Sequence, residues 1–197
     1  VCLFGGRTEF IEKYFEVVAD LRRRGFAVAT MDWRGQGGSV RELRNPRKGY
    51  VRDFADFDAD LQRFMRDIVM PDCLPPYIAL GHSMGGNVLL RAAAMPGVWF
   101  ERIVLSAPMV RLHSSQSKVS MRTARNAARV ACTIGLGSTY VPGGSDDYGE
   151  HWPFEGNKVT GDRERYARSN AIVEAAPDLG LGAATYRWLW EAFKSMD

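Results

Sequence analysis

The chain has 197 residues, of which 46% are hydrophobic and 25% charged, values close to the averages of globular proteins. This composition excludes collagen, coiled coil and wholesale disorder, and a net charge of +3 gives no support for nucleic-acid binding. No apolar stretch is long enough to cross a membrane, and the first residues lack the layout of a signal peptide. The three cysteines lack metal-ligand spacing and favour a reducing compartment, so we expect a cytoplasmic protein.

The first half of the chain alternates between apolar segments typical of strands and segments of helical periodicity. Strands are predicted over 1–4, 26–31, 77–80 and 102–108, and helices over 10–24, 54–68 and 87–95. Aspartates in the early turns of the second helix suit the positive end of its dipole; they are Asp53, Asp56, Asp58 and Asp60. The alternation predicts an α/β fold with a parallel, doubly wound sheet. Because the sequence opens in an apolar strand without a methionine, we expect it to be part of a longer protein.

The second half of the chain follows a different pattern. From about 109 to 182 the sequence offers helical segments and loops rich in glycine, serine and proline, but no segment typical of a strand. An apolar helix is predicted near the end, around 188–193. We therefore predict an α/β core over 1–109, an inserted helical lid over 110–182, and a helix over 183–197 that returns to the core.

The segment Gly81-His82-Ser83-Met84-Gly85 matches the G-x-S-x-G pattern of a nucleophile elbow. It follows a predicted strand and precedes a predicted helix, which is the context that the elbow requires. Ser83 would then occupy a strained turn that lifts its Oγ above the sheet edge at a helix N-terminus. We expect Gly81 and Gly85 to leave room where strand and helix approach closely. Ser83 is the predicted nucleophile; the alternative is an ordinary serine in a tight turn.

An oxyanion hole needs two N–H donors directed at the developing charge. One is predicted to be the N–H of Met84, the residue that follows the nucleophile. The other is predicted in the loop after the first strand, where glycines allow the backbone to approach a ligand. Arg7 N–H, directly after Gly5 and Gly6, is the candidate.

Several segments together resemble one family. They are Gly81-His82-Ser83-Met84-Gly85-Gly86, residues 5–10, residues 31–39, Ser106-Ala107-Pro108-Met109 and residues 153–157. The chain resembles the α/β-hydrolases of the lysophospholipase and monoacylglycerol-lipase group. The resemblance implies hydrolysis of a small lipid ester through an acyl-enzyme on Ser83, with no cofactor and no metal. Many relatives have His-Gly where this chain has Gly5-Gly6, a departure in the loop of the second oxyanion donor.

The resemblance also implies an acid and a histidine that follow the lid, in the chain order serine, acid, histidine. His82 precedes the nucleophile and is predicted to pack or to form a hydrogen bond; His113 and His151 fall in the predicted lid. Asp178 and Asp197 have no histidine after them. We therefore expect the acid and the base to lie outside these residues, and residues 1–197 alone to show little activity.

A basic stripe in the predicted lid is the remaining signal. It consists of Lys118, Arg122, Arg125 and Arg129, opposite an apolar side formed by Met121, Ala124, Ala128 and Ala131. Such a helix can contact an anionic membrane from the cytoplasmic side, and its alternative is an ordinary solvated face.

Two other functions stay open from the sequence. The first is a hydrolase of the same fold that acts on peptide or thioester substrates. The second is a binding protein without catalytic activity, which the incomplete set of catalytic residues would also fit. The oligomeric state is not encoded in any feature of the sequence that we identify.

Overall fold

A computed structural model describes residues 1–112, 119–148, 153–157 and 159–197. Four parallel strands form one sheet, in the order β2-β1-β3-β4. Their bounds are Cys2–Phe4 for β1, Ala29–Met31 for β2, Tyr77–His82 for β3 and Phe100–Ser106 for β4. β1 lies between β2 and β3, pairing Leu3 with Thr30 on one side and with Leu80 on the other. The predicted parallel α/β sheet is confirmed.

Helices connect and cover these strands. A 3-10 turn, Ile11–Tyr14, leads into α1 (Phe15–Arg23); α2 (Ala55–Phe64) continues through a π-helical turn, Met65–Val69, into the short α3 (Met70–Asp72). α4 (Met84–Ala93) follows β3 directly. The later helices are α5 (Met121–Thr133), α6 (Arg163–Ala175) and α7 (Tyr186–Ser195), with a 3-10 turn at Pro177–Leu179.

The second strand is shorter than its apolar sequence predicts. Residues 26–31 were expected to be extended, but only Ala29–Met31 pair as a strand. The cause is the partner, because β1 spans Cys2–Phe4 and offers only those residues for pairing. α1 ends as predicted, since Gly25 adopts a φ of +89° directly after the helix, a conformation that glycine reaches without steric cost.

The core lies between the sheet and the helices that follow β2 and β3. Phe4 is fully buried at its centre and contacts three aromatic rings, those of Trp33, Phe64 and Phe100. Trp188 of α7 joins the same cluster through an edge contact with Phe54. The terminal helix is therefore packed on the α/β core.

The early aspartates of α2 serve ion pairs. Asp58 is 7% exposed and pairs with Arg91 of α4, which ties the two helices together. Asp60 receives two hydrogen bonds of 2.7 Å from Arg34, and Asp56 lies 3.6 Å from the same guanidinium. Specific cations, besides the helix dipole, account for these acidic positions.

The described part of 110–182 contains α5, α6 and loops, and no strand. α5 packs on α7 with Ala128 and Ala131 buried, so the apolar side of this helix faces protein. α6 is joined to α1 by Arg165, which donates two hydrogen bonds to Glu16. Whether this region acts as a lid, and the boundaries at 109 and 182, stay predictions.

None of the helices in the described ranges is long and apolar enough to cross a membrane.

Candidate active site

Ser83 stands in a strained turn between β3 and α4. Its backbone has φ +49° and ψ −113°, a conformation that non-glycine residues rarely adopt. Ser83 N–H donates to Ser106 O at 3.1 Å, while its carbonyl accepts from Asn87 N–H at 3.1 Å and from Met109 N–H at 2.9 Å. These bonds to the end of β4 and the first turn of α4 hold the strained residue in place.

The glycines of the motif are required by close approaches of neighbouring atoms. A Cβ on Gly81 would lie 2.6 Å from Leu89 Cδ1 and 3.0 Å from Gly86 N. A Cβ on Gly85 would lie 2.5 Å from Phe4 O and 2.6 Å from Gly5 O. Gly81 therefore clears the start of α4, as the motif predicts, whereas Gly85 clears the end of β1.

The loop after β1, residues 5–8, lies directly against the elbow. A Cβ on Gly6 would come within 2.9 Å of Ser83 Cβ, so only glycine allows this approach. Trp33 Nε1 donates to Gly5 O at 3.0 Å and Gln36 Nε2 donates to Gly6 O at 2.7 Å. The carbonyls of Gly5 and Gly6 are thus bound to side chains that follow β2. Within the described ranges, Arg7 N–H and Met84 N–H donate to no protein acceptor.

The side chain of Glu9 also holds this loop in place. Its Oε2 accepts from Gly6 N–H, from Tyr14 Oη at 2.5 Å, and pairs with His82 Nδ1 at 2.9 Å. Burial alone would raise the pKa of the Glu9 carboxyl, but the bonds from His82, Tyr14 and Gly6 bring it below its usual value. The bond to Glu9 raises the pKa of His82 above its usual value. The contact between the two residues links the loop to the residue before Ser83, and it is an ion pair whenever His82 is protonated.

The side chain of Arg7 extends away from this network into the protein. Its guanidinium stacks over the ring of Trp188, 5.1 Å from the centroid, and donates to Gly182 O at 2.6 Å. Burial lowers the pKa of the Arg7 guanidinium to about 10, so the group stays charged at neutral pH. Arg7 thus contributes its backbone to the loop beside Ser83 and its side chain to the packing of the segment that starts α7.

The structure brings some of the predicted site residues together. Ser83, Met84 and the loop of Arg7 lie together, but no hydrogen bond from Ser83 Oγ occurs within the described ranges. His82 is bonded to Glu9, as a hydrogen-bonded rather than a catalytic histidine would be. His113 and His151 lie outside the described residues, as does Lys118. The described ranges contain no group of side chains that could hold a metal ion.

Four residues that hold the loop in place were not predicted from the sequence. They are Glu9, Tyr14, Trp33 and Gln36. Trp33 and Gln36 belong to the segment 31–39 that carries the family resemblance, and this was a signal that they act near the site. Glu9 and His82 are 73 residues apart in the chain, so no local pattern indicates their pairing.

Solved structures with similar folds define the class of this chain. A monoacylglycerol lipase of Paleococcus ferrophilus matches with a TM-score of 0.68 at 18% identity, covering 99% of this chain and 64% of its own. A monoglyceride lipase variant of Saccharomyces cerevisiae matches with a TM-score of 0.65 at 19% identity, covering 98% of this chain and 58% of its own. Together with the parallel sheet and the elbow at Ser83, they show an α/β-hydrolase fold.

The family follows from the sequence comparison. The model of the hydrolase family described as serine aminopeptidase, S33, matches residues 1–197, and the chain belongs to this family. Lysophospholipase L2 of Escherichia coli strain K12 is 32% identical over 200 residues, which cover 98% of this chain and 55% of the relative. Monoacylglycerol lipase of Mycolicibacterium smegmatis is 28% identical over 131 residues, covering 66% of this chain and 45% of the relative. This chain therefore spans about half the length of these curated relatives.

Proposed function

We propose that this chain carries the nucleophile and the oxyanion hole of a hydrolase that cleaves carboxylic esters of lysophospholipids or monoacylglycerols. The observation that carries the proposal is the strained backbone of Ser83 at the start of α4, with φ +49°. Supporting it, Gly6 approaches Ser83 closely and two unbonded N–H groups, those of Arg7 and Met84, lie in the flanking segments. The curated relatives named as lysophospholipase and monoacylglycerol lipase support the class of substrate.

The proposed reaction is acyl transfer to Ser83 followed by hydrolysis. Ser83 Oγ forms a bond to the acyl carbon, and the carbonyl oxygen becomes an oxyanion that accepts hydrogen bonds from Met84 N–H and Arg7 N–H. When the tetrahedral intermediate collapses, the ester C–O bond breaks and the glycerol-bearing alcohol leaves with a proton. Water then cleaves the acyl-enzyme to release the fatty acid.

The reaction needs a base for the proton of Ser83. His82 is engaged by Glu9 through Nδ1, so we do not assign it this role. The relatives are nearly twice as long as the matched region, which supports a base and an orienting acid outside residues 1–197. With those groups absent, the residues described here would give only residual hydrolysis.

The test compares two serine variants in the protein that contains this chain. Ser83→Ala should abolish labelling by a fluorophosphonate probe and lower ester hydrolysis by at least ~10³-fold. Ser138→Ala, an exposed serine at the end of the α5 segment, is the matched control and should leave both unchanged. Equal labelling of the Ser83→Ala variant and the unmodified protein would refute the proposal.

A second assay distinguishes the three functions left open by the sequence. Turnover of a lysophospholipid, a monoacylglycerol and an aminoacyl substrate is measured side by side. Glycerolipid turnover supports our proposal, whereas turnover of the aminoacyl substrate alone would support a peptidase, in line with the family description. Absence of turnover and of probe labelling would support a binding protein.

We also propose that the surface of α5 contacts an anionic membrane. Arg122 and Arg129 are exposed there, beside Val130, Ile134 and Leu136, which are 52%, 64% and 50% exposed. Exposed apolar side chains beside cations suit the interface of an anionic bilayer. Arg125 of the predicted stripe does not contribute, since it pairs with Asp197. Co-sedimentation with vesicles containing anionic lipid should fall for Ile134→Asp and stay unchanged for Val40→Asp, an exposed valine outside α5.

A further inference from the structure

A cavity of about 660 Å³ lies between α1, α6 and residues 153–157 and 159–160. Thr8, from the loop of the proposed oxyanion donor, and Glu9, which is bonded to that loop, form one part of its wall. Ser83 itself does not line the cavity, but Gly6 of the same loop lies against Ser83, so the cavity is adjacent to the loop that contacts the proposed nucleophile. A cavity in this position suits either the alcohol portion of the substrate or its acyl chain. The charged residues that line the cavity decide which of these two portions it suits better.

Among the described residues that line this cavity, Lys13 is the cation without an anionic partner. Its ammonium group lies 5.3 Å from the ring centroid of Phe10 and 5.4 Å from that of Tyr148. No carboxylate of the described residues comes within 4.0 Å of it. Burial lowers the pKa of Lys13, and the negative charge of Glu9 offsets this only in part. An ammonium group in this environment gains from the arrival of an anion.

The other charged side chains that are described along the cavity wall are already paired. Arg165 donates two hydrogen bonds to Glu16, and Glu155 pairs with Arg163. Glu9 is bound by His82, Tyr14 and Gly6 N–H, as described above. Lys13 is therefore the group whose charge a ligand would satisfy. Side chains able to donate hydrogen bonds, those of Ser169 and Asn170, line the same cavity.

We propose that Lys13 binds the phosphate of a lysophospholipid headgroup in this cavity, so that phosphate-bearing glycerolipids are preferred over monoacylglycerols. The inference rests on the proposed function, because it assigns the alcohol side of the same substrate to the cavity. In a lysophospholipid, the glycerol backbone connects the ester carbonyl to the phosphate. In the protein, the loop of residues 5–8 lies against Ser83 and leads to the 3-10 turn that carries Lys13, so the two ends of the substrate match the two ends of this segment. A neutral glycerol headgroup would leave the ammonium group without an anion.

The kinetic test uses two substrates with the same acyl chain, a lysophospholipid and a monoacylglycerol. In Lys13→Met, kcat/KM for the lysophospholipid should fall about tenfold or more, as expected when a charged hydrogen bond is lost. Monoacylglycerol turnover should change less than about twofold, since its headgroup has no charge. Lys13→Arg should retain most of the preference. Lys48→Met is the matched control, because Lys48 also lies over an aromatic ring, that of Tyr140, outside the cavity.

A binding measurement separates this inference from the proposed function. Glycerol 3-phosphate, glycerol and inorganic phosphate are titrated calorimetrically into the unmodified protein and into Lys13→Met and Lys13→Gln. Binding of glycerol 3-phosphate that both variants lose supports the phosphate site, even if the protein hydrolyses no ester and the proposed function fails. Equal binding of inorganic phosphate would indicate a site for free anions and overturn the inference. An equal loss of activity on both lipids in Lys13→Met would also overturn it.

Discussion

Gly85→Ala tests the packing beneath the nucleophile. The substitution places a methyl group in the first turn of α4, where its carbon would lie 2.5 Å from Phe4 O and 2.6 Å from Gly5 O. Ordinary contact needs ~3.5 Å or more, so α4 and the end of β1 must separate by about 1 Å. Both contacted atoms belong to the backbone, and no side-chain rotation can relieve the overlap.

The expected magnitude follows from two opposing effects. Alanine in place of glycine favours the helix by about 0.5–1 kcal/mol. Overpacking of a well-packed region costs about 1–3 kcal/mol, and we expect the upper end because the neighbours are backbone atoms. The net loss in the free energy of unfolding is then about 2 kcal/mol, which lowers the Tm by about 4–8 °C in a domain of this size.

Urea unfolding and thermal unfolding of the same variants measure this effect. Gly161→Ala is the control, because a Cβ at Gly161 meets no atom within 4 Å. Its unfolding free energy should stay within about 0.5 kcal/mol of the unmodified protein. If Gly85→Ala unfolds at the same denaturant concentration as Gly161→Ala, then the close approach of β1 and α4 does not constrain this position and our reasoning is wrong.

Three further predictions concern the charged groups. Glu9→Gln should destabilise the protein most between about pH 4.5 and 6.5. The lowered pKa of Glu9 stabilises the fold above about pH 4.5, whereas the raised pKa of His82 stabilises it fully below about pH 6.5 and less as the pH rises through the folded-state pKa of His82. An equal loss of unfolding free energy at every pH from about 5 to ~9 would contradict this prediction. Arg91→Met leaves Asp58 buried without its cation and should cost about 3 kcal/mol in urea unfolding, whereas Arg111→Met, an exposed control, should cost less than about 0.5 kcal/mol. Arg7→Met removes the contact with Trp188 and the bond to Gly182 O and should cost about 1–3 kcal/mol, measured in the same way and refuted by an unchanged midpoint.

Local sequence patterns were sufficient for the elbow and for the order of strands and helices. The G-x-S-x-G spacing is itself a consequence of the turn geometry, so Ser83 and the need for Gly81 could be inferred without coordinates. Asp32 organises the turn after β2 by accepting from Gly38 N–H at 2.8 Å, six residues further along the chain. Features fixed within a few residues of chain are the ones that periodicity and spacing reveal.

Features fixed by three-dimensional proximity were not predictable in this way. The dipole argument for the early aspartates of α2 is sound for any helix, but the cations that pair with them come from a distant loop and from α4. The pairing of Glu9 with His82 depends on β1 and β3 being neighbours in the sheet. The sequence motif predicted that Gly85 makes room between the preceding strand and α4. This was wrong for the same reason, because the atoms nearest to Gly85 belong to the end of β1.

Arg7 ties two distant parts of the chain together through a single residue. Its backbone belongs to the loop that lies against Ser83, while its guanidinium binds Gly182 O, 175 residues further along the chain, and the ring of Trp188. A displacement of residues 182–188 would therefore also displace Arg7, whose N–H we propose stabilises the transition state. The backbone role alone would tolerate many residue types at position 7, but this tether demands a long cationic side chain. Under the proposed mechanism, the geometry of the oxyanion hole therefore depends on the position of α7.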